Sequence, residues 1–463
     1  MRQRIRETVT ANPRPLLSES ARRTQRIRDE CHIYAVHGLR VMGMDNSSLS
    51  RGLRPRFARA LVEETLSDTP ITVIQGARQV GKSTLARVVA GPQARVVSLD
   101  AAANYNAART DPDAFVRQSD DLLVIDEIQR VPELIRAMKD AVEQTRRPGR
   151  FLITGSANLL EIPGTEESLA GRAETVVLYG LSQGELSGQR EDFIDRLLSG
   201  DGKALGVRTG TLRRQDYLEI LCAGSYPEPL TRQGRRRNAW FDNYIGRIMT
   251  RDVQDLSRLT HLDRLPDLVR LLAANTSGEL VKARFAQDSG IPESSLPPYL
   301  ELLETLYLIH QLPAWGEDLN KRVTGRPKVS LLDTGLAARL NHVTPAAMAP
   351  GSVSDAAGGL LESFVAAELR RQLVWAETSA RLFHFRDRNG LEVDIVLESD
   401  DRRVAGVEMK AAGSVSGGDF KGLRFLRDKL KDRFSLGVVL HTGTEAVPFG
   451  DRLWALPYSA LWT

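Results

Sequence analysis

One stretch constrains the chain more than any other. GARQVGKST, Gly76 to Thr84, matches G-x-x-x-x-G-K-[ST] without a gap. It follows a β-rich run, ITVIQ, and opens an amphipathic stretch, so it predicts a strand–loop–helix unit. Gly76 and Gly81 let the backbone wrap closely around phosphates. Ala77, Arg78, Gln79 and Val80 between them supply inward-pointing amide N–H groups. Lys82 reaches the β- and γ-phosphates, Ser83 offers its hydroxyl to Mg²⁺, and Thr84 continues the helix. The bland alternative, a Gly-rich turn before a helix, lacks a reason for the lysine and hydroxyl at these positions. The implied cofactors are ATP and Mg²⁺.

The neighbourhood fits that loop. ITVIQG, RVVSLD, LLVIDE, RFLITGS and ETVVLYG are short runs apolar on both faces, separated by longer amphipathic segments. That alternation predicts a doubly wound parallel α/β domain over residues 51–186. LLVIDE ends in Asp126 and Glu127 at the carboxyl edge of the sheet, where ligands of such sheets lie. Asp126 suits Mg²⁺, and Glu127 suits polarising a water for attack on the γ-phosphate. RFLITGSAN offers Ser156 or Asn158 to orient that water, or to cap the next helix. In LAGRAETVVL, Arg172 is either a γ-phosphate sensor or a surface arginine. As a sensor it acts in cis or as a finger from a neighbouring subunit, and the second case requires a homo-oligomer.

Residues 187–262 read as a polar, Gly-rich linker, up to about Thr211, followed by helical stretches. Residues 263–340 read as successive short helices. Leu268, Leu271 and Leu272 form one apolar stripe, Phe285 precedes a Gly290 turn, and Tyr299, Leu302, Leu303 and Leu306 share a face. A helix–turn–helix has this layout, and KVSLLDTG is a strand that suits a wing. A plain helical domain that transmits motion or packs subunits fits slightly better. Pro297 and Pro298 are tolerable in a first helical turn. Yet that turn is where a recognition helix presents base-reading side chains, and Glu293, Ser294 and Ser295 are not basic.

Residues 341–463 predict a second α/β unit, in which Asn389-Gly390 signals a tight turn. GVEMKAA places Glu408 and Lys410 on one face of an apolar strand. LEVDIVL places Asp394 among apolar neighbours with Glu392 two residues earlier, and GGLLESFVAAEL carries Glu362. Burying such charges without a partner is costly. Asp394 and Glu408, helped by Glu362, are candidate Mg²⁺ ligands, with Lys410 holding or deprotonating a water for attack on a phosphodiester. The alternatives are a structural carboxylate–lysine network and an inherited site that no longer cuts.

Composition sets the outer limits. Of 463 residues, 42% are hydrophobic and 26% charged, as in globular chains of several domains. There is no run of about 18 apolar residues, so no membrane span is expected. A net charge of +4 permits a nucleic-acid partner without arguing for one. Cys31 and Cys222 give neither a disulfide framework nor zinc spacing, and the expected location is cytoplasmic. Residues 1–50 are arginine-rich, without the apolar core of a secretory signal. They read as a disordered basic extension, with Met42 and Met44 as alternative starts and a transit peptide as a lesser option.

Taken in order, GARQVGKST, LLVIDEIQ, LITGSAN, LAGR, KVSLLDTGLAARL, LLESFVAAEL, LEVDIVL and VEMKAA resemble a prokaryotic family of AAA-type ATPases. The resemblance covers nearly everything after Arg51. It implies an ATPase core, a winged-helix region and a C-terminal restriction-endonuclease-like domain. It implies ATP binding and hydrolysis by Lys82, Ser83, Asp126 and Glu127. It also implies a PD-(D/E)xK arrangement carried by Glu362, Asp394, Glu408 and Lys410, with DNA as the candidate partner. The paired prolines depart from a DNA-reading helix.

Overall fold

The chain is described from a computed structural model, over residues 53–155, 169–206, 210–253, 259–318, 322, 325–349 and 356–463. The expectations for residues 1–50 and for Ser156 and Asn158 lie outside the described residues. Every element below belongs to one unit, Pro55–Thr463.

Helix α1 (Ala58–Asp68) leads into β1 (Ile71–Gln75), α2 (Lys82–Ala90), β2 (Arg95–Ser98), β3 (Leu123–Asp126), α3 (Glu133–Gln144), β4 (Phe151–Gly155) and β5 (Ala173–Val177). The five strands form one parallel sheet of order β2-β3-β4-β1-β5. The β-rich runs are thus strands, but not all are apolar on both faces. β1, β3 and β4 are buried throughout, while β2 and β5 are edge strands with exposed or half-buried positions. Strand alternation divides the core. Ile74, Val124, Leu152 and Val176 face one side of the sheet, and Ile71, Val73, Ile125 and Ile153 face the other.

The stretch read as a linker is partly helical. A Ser182–Glu185 capping box starts α4 (Gln183–Ser187), and α5 (Phe193–Ser199) buries Phe193, Ile194, Leu197 and Leu198. The spacing of those four is helical, and the glycines around them hid it.

The middle region contains α6 (Arg214–Ala223), α7 (Gly234–Arg247), α8 (Leu265–Ala274), β6 (Gly278–Glu279), α9 (Lys282–Ser289), α10 (Leu296–Thr305), β7 (Ile309–Leu312), β8 (Lys328–Leu331) and α11 (Thr334–Leu340). Gly290 ends α9 in the left-handed conformation, φ 72°, and Pro297 sits in the first turn of α10. Strands β6, β8 and β7 form a three-stranded antiparallel sheet in that order.

The C-terminal region runs α12 (Ala357–Gln372), β9 (Ala380–Arg386), β10 (Glu392–Ser399), β11 (Val404–Lys410), α13 (Lys421–Leu430), β12 (Phe434–His441), β13 (Val447–Pro448) and β14 (Leu453–Pro457). Its six-stranded sheet has the order β13-β14-β12-β11-β10-β9. β9, β10 and β11 are an antiparallel meander, and β11, β12 and β14 are parallel, with α13 crossing between β11 and β12.

Candidate functional site

The phosphate loop leaves the carboxyl end of β1. Gly76 has φ 149°, and a Cβ there would lie 2.0 Å from the Leu178 carbonyl oxygen, so no other residue fits against the end of β5. The Lys82 ammonium, on a residue 5% exposed, donates to the carbonyls of Gly76 (2.9 Å) and Ala77 (2.8 Å). Ser83 Oγ donates to Asp126 Oδ1 at 2.7 Å. The hydroxyl and the carboxylate expected at Mg²⁺ are therefore adjacent across the α2–β3 gap. Thr154 Oγ1 donates to the same Asp126 oxygen and fixes the carboxylate from β4. Thr154 was not singled out from sequence, although its place at the end of a buried strand was a signal.

Glu127 is left-handed, φ 61°, an uncommon conformation for a residue with a Cβ. Its backbone N–H donates to Thr154 Oγ1 at 3.3 Å, and its carboxylate accepts from the Gln129 amide. A turn of this kind lifts the side chain off the strand axis at the sheet's carboxyl edge.

Arg56 is a further residue that sequence reasoning missed. Its guanidinium donates to Val80 O (2.6 Å), to Tyr179 O (2.6 Å) and to Glu185 Oε1 (3.1 Å). It ties the loop, the chain after β5 and α4 into one corner. From the middle region, Tyr307 donates to Gln75 Oε1 at 3.1 Å and Tyr244 to Arg78 O at 3.4 Å. Behind the loop lies a cavity lined by Ala77, Val80, Tyr226, Tyr307, Asp333 and Arg371, among others.

Arg172 is not brought to this corner. Its carbonyl accepts from Ile71 N, at the amino end of β1, whereas the loop leaves the carboxyl end. The length of β1, about 17 Å at some 3.3 Å per residue, separates them. The guanidinium pairs with Glu143 at 2.6 Å. A sensor role in cis is therefore excluded by the parallel register of β1 and β5.

The second cluster joins three elements of the C-terminal region. Glu362 comes from α12, Glu392 and Asp394 from β10, and Glu408 from β11. The register Ile395↔Val407 sets Asp394 opposite Glu408, and a bulge between Val393 and Val396 re-aims this part of β10. Asp394 Oδ2 accepts from Met409 N at 3.0 Å. Burial, and then the Asp394 charge, push Glu408 up to about 10. The same two causes push Glu362 up to about 8. Glu392 is held low, burial being outweighed by the charge of Lys328.

Lys328 reaches this cluster from β8. Its ammonium pairs with Glu362, with Glu392 at 2.8 Å and with Asp394 at 3.4 Å. Burial would favour the neutral amine, but the three carboxylates override it and raise the pKa. Sequence reasoning read Lys328 only as the start of a strand. Lys410, expected at the reacting water, is half-exposed, and its ammonium lies 3.8 Å from Asp419. No three His, Cys, Asp or Glu side chains among the described residues are arranged to hold a metal ion. Glu362, Asp394 and Glu408 do not fit as a Mg²⁺ ligand set, because the Lys328 ammonium already pairs with two of them.

A parallel sheet of order β2-β3-β4-β1-β5, with a phosphate loop after β1 and an aspartate ending β3 one strand away, defines a P-loop nucleotide-binding domain of the AAA class. Comparison with known proteins agrees. Residues 68–187 match an AAA domain, residues 214–347 a domain of unknown function (DUF8612) and residues 357–461 a second one (DUF4143). Uncharacterised proteins of Mycobacterium tuberculosis (Rv2008c) and Mycobacterium bovis (Mb2031c) are each 27% identical over 415 residues, covering 88% of this chain and 84% of theirs. Among solved structures, AMPPCP-bound DnaA from Aquifex aeolicus aligns over 57% of this chain and 93% of its own. It is 14% identical, with a TM-score of 0.27. A STAND ATPase with a tetratricopeptide repeat sensor from Pyrococcus horikoshii aligns over 73% and 46%, at 12% identity and a TM-score of 0.23. Scores this low do not define a shared global fold. Among the described residues no helix is long and apolar enough to cross a membrane.

Proposed function

We propose that the protein binds MgATP at Gly76–Thr84 and hydrolyses it, and that nucleotide state is passed to a C-terminal domain that does not cut nucleic acid. The observation that carries the first half is the Ser83–Asp126 hydrogen bond beside a buried Lys82. Lys82 exchanges its two loop carbonyls for β- and γ-phosphate oxygens. Ser83 and Asp126 take Mg²⁺, directly and through its water shell, when nucleotide arrives. Glu127 polarises the attacking water. An arginine at the γ-phosphate, if Arg172 supplies it, comes from a second subunit.

Coupling is supported by the two tyrosine contacts to the loop and by the cavity behind it. Asp333, in the wall of that cavity, accepts from Ser225 N at 2.6 Å and begins α11 directly after β8. The middle region has the helix and strand order of a winged helix. Base reading by α10 is not favoured: the exposed residues at its start, among them Glu293, Ser294, Pro297, Pro298 and Glu301, include no basic side chain.

A Mg²⁺-dependent nuclease of the restriction-endonuclease type is the competing reading. Lys328 speaks against it, as does the drift of Lys410 towards Asp419. The test is a pair of assays on the full chain. Binding of a fluorescent ATP analogue with Mg²⁺ is expected in the wild type and should weaken about 100-fold in Lys82→Ala, from the loss of about 3 kcal/mol of charge-assisted hydrogen bonding. Single- and double-stranded DNA incubated with Mg²⁺ or Mn²⁺ and ATP should stay intact. Unimpaired ATP binding in Lys82→Ala sinks the first half, and cutting that is lost in Lys410→Ala sinks the second.

A further inference from the structure

We infer that the Lys328 ammonium is the resident cation of the carboxylate cluster, and that the native protein takes up no divalent ion there. The inference deepens the non-cleaving reading of the C-terminal domain and rests on it. Three facts carry it.

The first is position. Lys328 comes from β8, outside the C-terminal sheet, and its residue is 5% exposed. A lysine side chain normally keeps its strongly hydrated head in water, and losing that water is costly unless carboxylates replace it. Here Glu362, Glu392 and Asp394 replace it from α12 and β10. The second is stoichiometry. An ammonium has three N–H donors, and three carboxylates stand around it. A divalent ion at the same place would need about six oxygens at some 2.0–2.1 Å, and would sit against an ammonium that repels it. The third is support. β8 is the central strand of its sheet, paired on both sides by β6 and β7. Lys328 itself is paired with Glu279 and Leu312. The ammonium is therefore held by a rigid strand, which a mobile surface lysine would not be.

The consequence is a latent metal site. Placed around the ammonium, Glu362, Glu392 and Asp394 do not form a metal-binding set; without it they are oxygen donors with no cation, able to close on Mg²⁺ or Mn²⁺. The measurement is Mn²⁺ uptake by nucleotide-free protein, read from the electron paramagnetic resonance signal of the free ion. Wild type and Asp394→Asn should bind the same number of ions. Lys328→Ala should bind one more, and Lys328→Ala with Asp394→Asn should lose it again. Lys328→Arg, which keeps a cation, should gain none. Melting curves guard against misfolding: Mn²⁺ should raise the midpoint of Lys328→Ala and leave wild type unchanged. Saturable, Asp394-dependent Mn²⁺ binding by wild type overturns the inference, and this arm decides even if Lys328→Ala never folds. A folded Lys328→Ala that takes up no extra ion overturns it as well. The absence of nucleotide keeps the result independent of the ATPase reading. A wild type that binds Mn²⁺ through Asp394 yet leaves DNA intact would refute Lys328 as resident cation while sparing the non-cleaving domain.

Discussion

Replacing Glu408 by glutamine should stabilise the protein, and increasingly so as pH rises. Glu408 is pushed up to about 10 by burial and by Asp394 across the β10–β11 register, whereas in an unfolded chain its carboxyl titrates at the ordinary value of 4.5. Between those values the folded state keeps a proton that the unfolded state releases. Stability therefore falls as pH rises through the window from about 4.5 to about 10. At pH 7 the penalty is roughly 1.4 kcal/mol for each of some 2.5 pH units, about 3 kcal/mol. A glutamine offers an N–H₂ donor where the protonated acid offers its O–H, and it does not titrate. Glu408→Gln should thus exceed wild type by about 3 kcal/mol at pH 7 and by almost nothing near pH 4.5. Urea unfolding followed by tryptophan fluorescence is the assay. Four of the five tryptophans, Trp315, Trp375, Trp454 and Trp462, lie from residue 315 onward, so the signal is weighted towards the C-terminal part of the chain. A difference that is constant with pH, or a destabilised variant at pH 7, would mean that Glu408 is ionised in the native state. The carboxylate would then be available to a metal, and the reasoning above would fail.

Two further substitutions probe the phosphate corner. Glu127→Gln should keep binding of the fluorescent ATP analogue and lose hydrolysis by about 10²- to 10⁴-fold, the usual weight of a general base; a variant with unchanged turnover assigns the water to another group. Arg56→Ala leaves the Glu185 carboxylate, 1% exposed, with two backbone N–H donors but no cation, and frees the Val80 carbonyl. It should lower stability by about 3–5 kcal/mol and weaken nucleotide binding together, and a thermal midpoint equal to that of wild type would remove Arg56 from its tying role.

What the sequence disclosed, and what it withheld, follows from the range of the interactions. The phosphate loop is nine consecutive residues whose roles are set by their spacing, so Gly76, Lys82 and Ser83 could be assigned directly. Asp126 needed one further inference, that its strand neighbours β1 or lies one strand away. Thr154 and Arg56 act through bonds to residues far along the chain, 28 and 123 positions away for two of them, and local pattern carries no trace of that. Lys328 is the sharpest case. KVSLLD reads as an ordinary strand start, and its meaning depends on carboxylates 34 and 66 residues later. The four acidic and basic positions of the C-terminal unit were visible as charges among apolar neighbours. Which cation would meet them was not visible. The place of Arg172 within its own chain was hidden for a topological reason: a residue just before a parallel strand lies at the opposite edge from a loop just after one.

The helix α5 has a consequence for how the chain is made. Its carbonyl at Leu198 accepts from Arg403, 205 residues later, and Asp195 accepts from the backbone of Thr378, 183 residues later. At a synthesis rate of about 5–20 residues per second, α5 waits roughly 10–40 s for those partners. During that time the apolar face of Phe193, Ile194, Leu197 and Leu198 has no sheet to cover it. A nascent chain in this state is a natural client for chaperones. A fragment that includes α5 but ends before the C-terminal sheet inherits the same bare helix, so soluble expression of such a fragment should require removing α5 as well.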